Sequence, residues 1–249
     1  AQVKGEGAGV SFDDAQETYT ARYTHETVAL AFAITEEAIE DNLYDRLSAR
    51  YTKALARSMS NAKQVKAIEP LINGLPSTAT FKSGDGVALF STSHTTVSGP
   101  NVANTLATQA DLNETSLEQS MIDIAKMTDE RGLRIAARGV KMIIPSELQF
   151  TAERLMKSQG RTGTADNDIN AIVSMGMVPQ GYRVNNYLTD SDAFYILTDI
   201  PNGMKMFTRA PLTTAMEGDF DTGNVRYKAR ERYSFGVSDF RGIFGVEGA

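Results

Sequence analysis

The chain has 249 residues, 25 lysines and arginines against 31 aspartates and glutamates, a net charge of −6, no cysteine and two histidines. This composition excludes disulfides, thiolate metal sites, iron–sulfur clusters and cysteine nucleophiles, and leaves His25 and His94 too few for a multi-histidine metal centre. No apolar run approaches the roughly 18–20 residues of a membrane span, and the acidic balance argues against a dedicated nucleic-acid reader.

The chain opens Ala1-Gln2-Val3, with no Met and no signal-like apolar core. The expectation is an upstream piece removed, or a chain that is part of its product. Residues 1–17 are polar and glycine-rich, with Gly5, Gly7 and Gly9 beside Lys4. Such a run cradles phosphate where it joins a strand to a helix; here neither adjoins it, so it reads as a loop or hairpin tip. Over 18–34, Tyr19, Ala21 and Tyr23 alternate with Thr20, Arg22 and Thr24. Val28, Leu30, Phe32 and Ile34 then alternate with alanines. That period of two predicts one long strand that projects from the body and re-enters it.

Thr35 reads as the N-cap of a helix over 35–69, with Glu36 and Glu37 at its positive end. Its apolar positions Ile39, Leu43, Leu47, Tyr51, Leu55 and Met59 are four apart, so the stripe drifts about 40° per step. This is an amphipathic core helix rather than a heptad coiled coil, and its mixed charges do not suit a membrane surface. Pro70 and Asn73-Gly74 end it. Residues 76–105 are loop-rich, with a turn at Ser83-Gly84-Asp85-Gly86 and a short strand over 87–90. Asp85, Ser91 or Ser93, and His94 hold the residue types of a hydrolase triad, but no GxSxG elbow accompanies them. His94 therefore reads as a hydrogen-bonding loop residue.

Asp111 and Glu114 form the pattern of a capping box. It would open a helix with Leu117, Met121, Ile124 and Ala125 on one face and Gly132 just past its end. A short apolar strand over 140–144 is closed by Pro145. A helix over 146–158 carries Leu148, Ala152, Leu155 and Met156 and stops at Gly160, and 159–168 is an exposed loop. Strands are predicted over 182–187, 194–198, 204–208, 225–236 and 240–245. Asp219-Phe220-Asp221 has the form of a metal-binding carboxylate pair without a third ligand, and reads as a turn. Arg226, Lys228, Arg230 and Arg232 alternate along the last long strand, a line suited to guarding an edge or pairing with carboxylates of a neighbouring subunit. The order of elements is α+β, not an alternating Rossmann pattern, and nothing along it assembles nucleophile, base and orienting group.

Several segments carry a resemblance. They are Asp85-Gly86-Val87-Ala88-Leu89-Phe90-Ser91-Thr92-Ser93-His94, Asn104-Thr105-Leu106 and Ala110-Asp111-Leu112. Ile143-Ile144-Pro145-Ser146-Glu147-Leu148 and Tyr187-Leu188-Thr189-Asp190-Ser191-Asp192-Ala193-Phe194-Tyr195 follow, with an ending over 230–242 that includes Arg230-Glu231-Arg232-Tyr233. In order and spacing they resemble the major capsid proteins of tailed phages with the Hong Kong 97 fold, in the Mu-like head-subunit branch. The resemblance covers most of 18–249.

The resemblance implies a fold and a division of the chain. Residues 1–34 would form the extended β-hairpin loop. Residues 35–138 and 211–237 would form the peripheral domain, with its spine helix over 35–69. Residues 139–210 and 238–249 would form the axial domain. The family also has an N-terminal arm, for which about 34 residues leave no room beside the hairpin. The expectation is an upstream segment removed by a maturation protease or left out.

The implied function is a non-enzymatic shell subunit without cofactor or metal, self-assembling into pentamers and hexamers of an icosahedral head. Its implied partners are portal, scaffold and decoration proteins and, non-specifically, packaged double-stranded DNA, with no membrane. It would reside in the virion after assembly in the host cytoplasm. Assembly contacts are expected from Lys4, Tyr19, Arg22, Tyr23, Glu36, Glu37, Arg226, Lys228, Arg230 and Arg232. Some family members crosslink a lysine to an asparagine; Lys4 matches no such motif, so no crosslink is expected. The competing readings are a tail-tube or adaptor-type virion protein, and an α+β hydrolase using His94 with Asp85 or a serine.

Overall fold

A computed structural model describes Glu6 and residues 17–41, 44–161 and 168–249, with the side chains of 44–48 outside the description. Lys4, the glycine run, Leu43 and most of the loop at 159–168 lie outside the described residues, as does the Leu47 side chain.

Strand β1 (Glu26–Ile34) follows an irregular segment over 17–25, so the predicted long strand is only half formed. The reason is pairing. From Glu26 onward each residue has an antiparallel partner on the late strand β6 (Val225–Val237), beginning with Glu26 opposite Tyr233. β6 also pairs antiparallel with β5 (Met204–Gly218), making a three-stranded sheet of order β1-β6-β5. The sequence predicted only 204–208 of β5. Its outer half is exposed on both faces and carries Pro211, so the apolar alternation that marks a half-buried strand is missing. Proline is tolerated there because β5 is an edge strand, and its register shifts at Thr208–Ala210 and Ala210–Thr213 flank the ring.

The single helix expected over 35–69 is two. Thr35 caps α1 (Glu36–Glu40) by accepting from the Ala38 amide at 3.4 Å, and α1 ends at Asp41. α2 (Tyr44–Ile72) runs three residues past the expected stop and contains Pro70. Proline removes one helical hydrogen bond, yet the Asn73 amide still reaches the Glu69 carbonyl at 2.9 Å, and Ile68 and Leu71 on either side of the ring are buried in the main core. Further up, Leu55 and Met59 pack on Ala229, Val28 and Phe32 of the sheet. Tyr51 stacks against Phe32 but stays half exposed, so the stripe is buried only where strands lie beneath it.

The second sheet has order β3-β2-β4-β7, from β2 (Gly139–Ile144), β3 (Tyr182–Val184), β4 (Phe194–Thr198) and β7 (Ile243–Val246). β2 and β3 are parallel and the other pairs antiparallel. Helix α3 (Glu114–Lys126) buries Leu117, Met121 and Ile124 against it. Its cap is Asn113 with Ser116 as reciprocal partner, two residues beyond the expected Asp111–Glu114 box, and Ala125 lies off the buried face. Helix α4 (Gln149–Lys157) buries Ala152 and Leu155. The short α5 (Ala171–Ser174), capped by Asn170, has too few residues to show a helical period. Residues 87–90 form no strand: the Leu89 and Phe90 amides bond to loop carbonyls of Phe81 and Gly74, although both side chains are buried. Likewise 240–245 divides into a 3-10 turn at Phe240–Gly242 followed by β7. No helix among the described residues is long and apolar enough to cross a membrane.

Candidate functional site

His94 is fully buried, and its surroundings decide what it does. Its Nδ1 lies 2.7 Å from Asp85 Oδ2, the half-triad arrangement of base and orienting carboxylate. Its Nε2 faces the Leu89 carbonyl at 3.2 Å and Asn104 Oδ1 at 3.0 Å, not a hydroxyl. Both ring nitrogens are thus engaged with buried oxygens of the loop, and neither is aimed at a serine hydroxyl. Ser91 and Ser93 are engaged elsewhere, with the Ser93 amide and the Asn101 side chain. The ring stacks on Phe240 at 3.8 Å, which fastens the loop after Asp85 to the C-terminal turn.

Asn104 is the centre of that fastening, and sequence reasoning gave it no such role. Its amide donates to the carbonyls of Leu89, Phe240 and Ile243, while its oxygen accepts from the Ser91 amide at 2.9 Å. A buried asparagine in a loop was the one available signal, and burial is not readable from 104 alone. Arg241 completes the region: 6% exposed, it donates to Thr128 O, Glu130 and Asp239. These acids line a recess of about 720 Å³ with Asp129, Asp199 and Lys205. Among the described residues no group of three or more acids or histidines could hold a metal ion.

Burial pushes the Asp85 carboxyl up, but hydrogen bonds from the Ser83 hydroxyl, His94 and the Val87 amide outweigh it and hold the group below its ordinary value. A depressed carboxylate stabilises the fold above its unfolded pKa, and that contribution is lost as pH falls through the folded value. The expected result is a fall in thermal stability on acidification below about pH 4. Asp85→Asn should be less stable than the parent at neutral pH and lose less of its stability over that range; an unchanged slope would disprove the assignment.

The residues expected at an assembly surface fall into three groups. Tyr19 and Tyr23 are turned onto their own subunit. The Tyr19 hydroxyl donates to Thr95 O at 3.1 Å, and that of Tyr23 lies 2.5 Å from Ser238 Oγ, with its ring edge-on to Phe207. Arg22 is exposed beside them. Glu36 and Glu37 form the exposed first turn of α1, with Glu36 against the β5–β6 turn at Gly223. Arg226, Lys228, Arg230 and Arg232 all lie on the exposed face of β6. The opposite face holds Tyr227, Ala229, Glu231 and Tyr233 under α2, where buried Glu231 pairs with Lys63 at 3.0 Å. Arg226 pairs with Asp219 in the hairpin turn, so Asp219-Phe220-Asp221 is indeed a turn.

The outer half of β5 is exposed at nearly every position, and the hairpin turn beyond it projects Phe220. Leu212, Met216 and Phe220 are 51%, 64% and 101% exposed. Edge strands with exposed apolar side chains are where other chains attach.

Comparison with known proteins agrees with a self-associating subunit. A family model described as phage capsid protein matches residues 18–246. No curated protein sequence matches. Among solved structures, a chain of Mycobacterium phage Patience is 11% identical with a TM-score of 0.59, covering 97% of this chain and 77% of that one. The capsid of Myoviridae phage XM1 is 13% identical with a TM-score of 0.54, covering 91% and 74%. An encapsulin complex from Synechococcus elongatus is 10% identical with a TM-score of 0.51, covering 90% and 73%. At such identities these likenesses show the fold alone, the Hong Kong 97 type, which occurs in the encapsulin as well as in phage capsids. The family match is what separates them, and with it the chain belongs to the phage capsid protein family, as the structural major capsid protein of a virion head shell.

Proposed function

We propose that the protein builds the icosahedral head of a tailed phage in the Mu-like head-subunit branch, around double-stranded DNA, without catalysing a reaction. The observation that carries the proposal is the outer half of β5 with the hairpin tip, where Leu212, Met216 and Phe220 have no covering element among the described residues. A burial deficit of that kind is relieved by a neighbour. Head-to-tail contacts of one surface with a different one close into rings, as five- and six-fold groups require. The enclosed His94, with both nitrogens engaged, supports a structural rather than a catalytic role.

In this reading residues 1–34 are the extended loop. Residues 35–138 and 211–237 are the peripheral domain, and 139–210 with 238–249 the axial domain. The register shifts of β5 at 208–213 lie at that boundary. Tyr19, Arg22, Tyr23, Glu36, Glu37 and the cations of β6 would contribute to contacts between subunits. Portal, scaffold and decoration proteins would be further partners, and assembly would take place in the host cytoplasm. The net charge of −6 suits weak, non-specific contact with packaged DNA.

Electron microscopy of the purified full chain tests this. The expected result is closed icosahedral shells; open tubes, or a compact monomer at all concentrations, would overturn it.

A further inference from the structure

The face of the three-stranded sheet turned away from α2 has an unusual make-up. Its central strand carries Arg226, Lys228, Arg230 and Arg232, each exposed. The residues paired beside them are short. On β1 they are Thr27, Ala29, Ala31 and Ala33. On β5 they are Ala210, Thr213 and Ala215, with Glu217 only at the far end beside Arg226. The result is a cationic ridge about 20 Å long, with charges about 6.8 Å apart, standing between two low flanks. Arg226 is neutralised by Asp219. Lys228, Arg230 and Arg232 have no carboxylate partner among the described residues.

The same chain exposes a matching acidic segment. Glu36, Glu37, Glu40 and Asp41 lie on and just after α1, all exposed and without a cationic partner among the described residues. Along a helix, carboxylates four residues apart are separated by about 6 Å, so Glu36–Glu40 and Glu37–Asp41 match the ridge spacing. A helix is about 10 Å across and the sheet about 9.6 Å between its outer strands, so low alanine flanks let a helix settle onto the ridge. Within one subunit the two surfaces do not meet, because α1 sits at the hairpin turn, with Glu36 against Gly223.

We propose that the cationic ridge of β6 receives the acidic α1 segment of a second copy of this chain, a head-to-tail contact that sets the direction of ring closure. This rests on the shell reading above. Nucleic acid is the other anionic candidate, and the charge count favours it less: three unpaired cations are few beside a surface that makes 6–10 phosphate contacts, and the chain is acidic overall.

The test is charge reversal in the full chain, scored by shell yield in electron microscopy and by thermal melts that confirm folding. One variant carries Lys228→Glu, Arg230→Glu and Arg232→Glu. Another carries Glu36→Lys, Glu37→Lys, Glu40→Lys and Asp41→Lys, and a third carries all seven changes. Each single-sided variant should lose at least about tenfold in shell yield, and the third should recover most of it. On unaltered shells, a zero-length carbodiimide should join Lys228 to Glu36 or Glu37 of another subunit, which keeps the test independent of variant folding. Unchanged yields, no recovery in the third chain, or crosslinks elsewhere only would overturn the inference while leaving the shell reading intact. Shells of normal yield that lose only their nucleic acid would assign the ridge to nucleic acid instead. A parent chain that forms no particle would overturn the shell reading and this inference with it.

Discussion

Asn104→Ala is expected to lower subunit stability by about 3–5 kcal/mol, because buried groups lose their partner and each costs about 1–3 kcal/mol when left unpaired. The Ile243 carbonyl and the Ser91 amide lose theirs outright, while the carbonyls of Leu89 and Phe240 keep only the His94 ring and the Ile243 amide. No neighbouring side chain can replace them, since the site is closed and shut off by the His94–Phe240 stack. Against a total of about 5–15 kcal/mol this is a large fraction. Urea unfolding of dissociated subunits measures it. His94→Ala should be costly too, and the double variant less costly than the sum by about 1 kcal/mol or more, because both act in one network. Simple additivity would show that Asn104 and His94 act separately.

Gly242→Ala is expected to cost about 2–3 kcal/mol by overpacking. A Cβ there would lie 2.9 Å from the Gly203 nitrogen, backbone that has no room to yield. The turn holding Gly203 is tied down: Ser238 N donates to Gly203 O at 3.2 Å, and Asp239 N to Asn202 O at 2.8 Å. The close approach lets the turn before β5 lie against the 3-10 turn before β7, joining the base of the hairpin to the second sheet. Gly86→Ala is the control. Gly86 has a φ of +81° but open space around it, so only the backbone term of about 1 kcal/mol should appear. Equal losses at both positions, in melts of the subunit, would show that packing at Gly242 is not the cause.

Both positions sit outside the α-helices and strands, so local periodicity carries no sign of their burial. Asn104 and Gly242 lie in a loop and a tight turn, where no period of 2 or 3.6 reports burial. The neighbouring His94 illustrates the same gap. Its residue types suggested a triad, and the aspartate is indeed its partner, but only the fold shows that the other nitrogen meets acceptors. Helix ends shifted for a similar reason. At Pro70 the local rule to stop lost to the burial of Ile68 and Leu71, and at Asn113 a serine hydroxyl served where glutamate was expected. The family, by contrast, was legible in motifs spread along the chain, because order and spacing survive where single residues do not.

By itself the sequence determined the α+β class, the amphipathic stretch of α2, β2 and β4, and the alternation that puts four cations on one side of β6. Those features depend on local periodicity, and a strand's side chains alternate whatever lies around them. Tertiary structure alone decided that β1 pairs with β6, some 200 residues away, and that β5 extends into solvent beyond residue 208. It also placed short residues on both sides of the cations and kept the acidic α1 segment off its own ridge. Register between distant strands is a property of the closed chain, set by which faces are buried together; the charged surface it creates is therefore visible only once the strands are side by side.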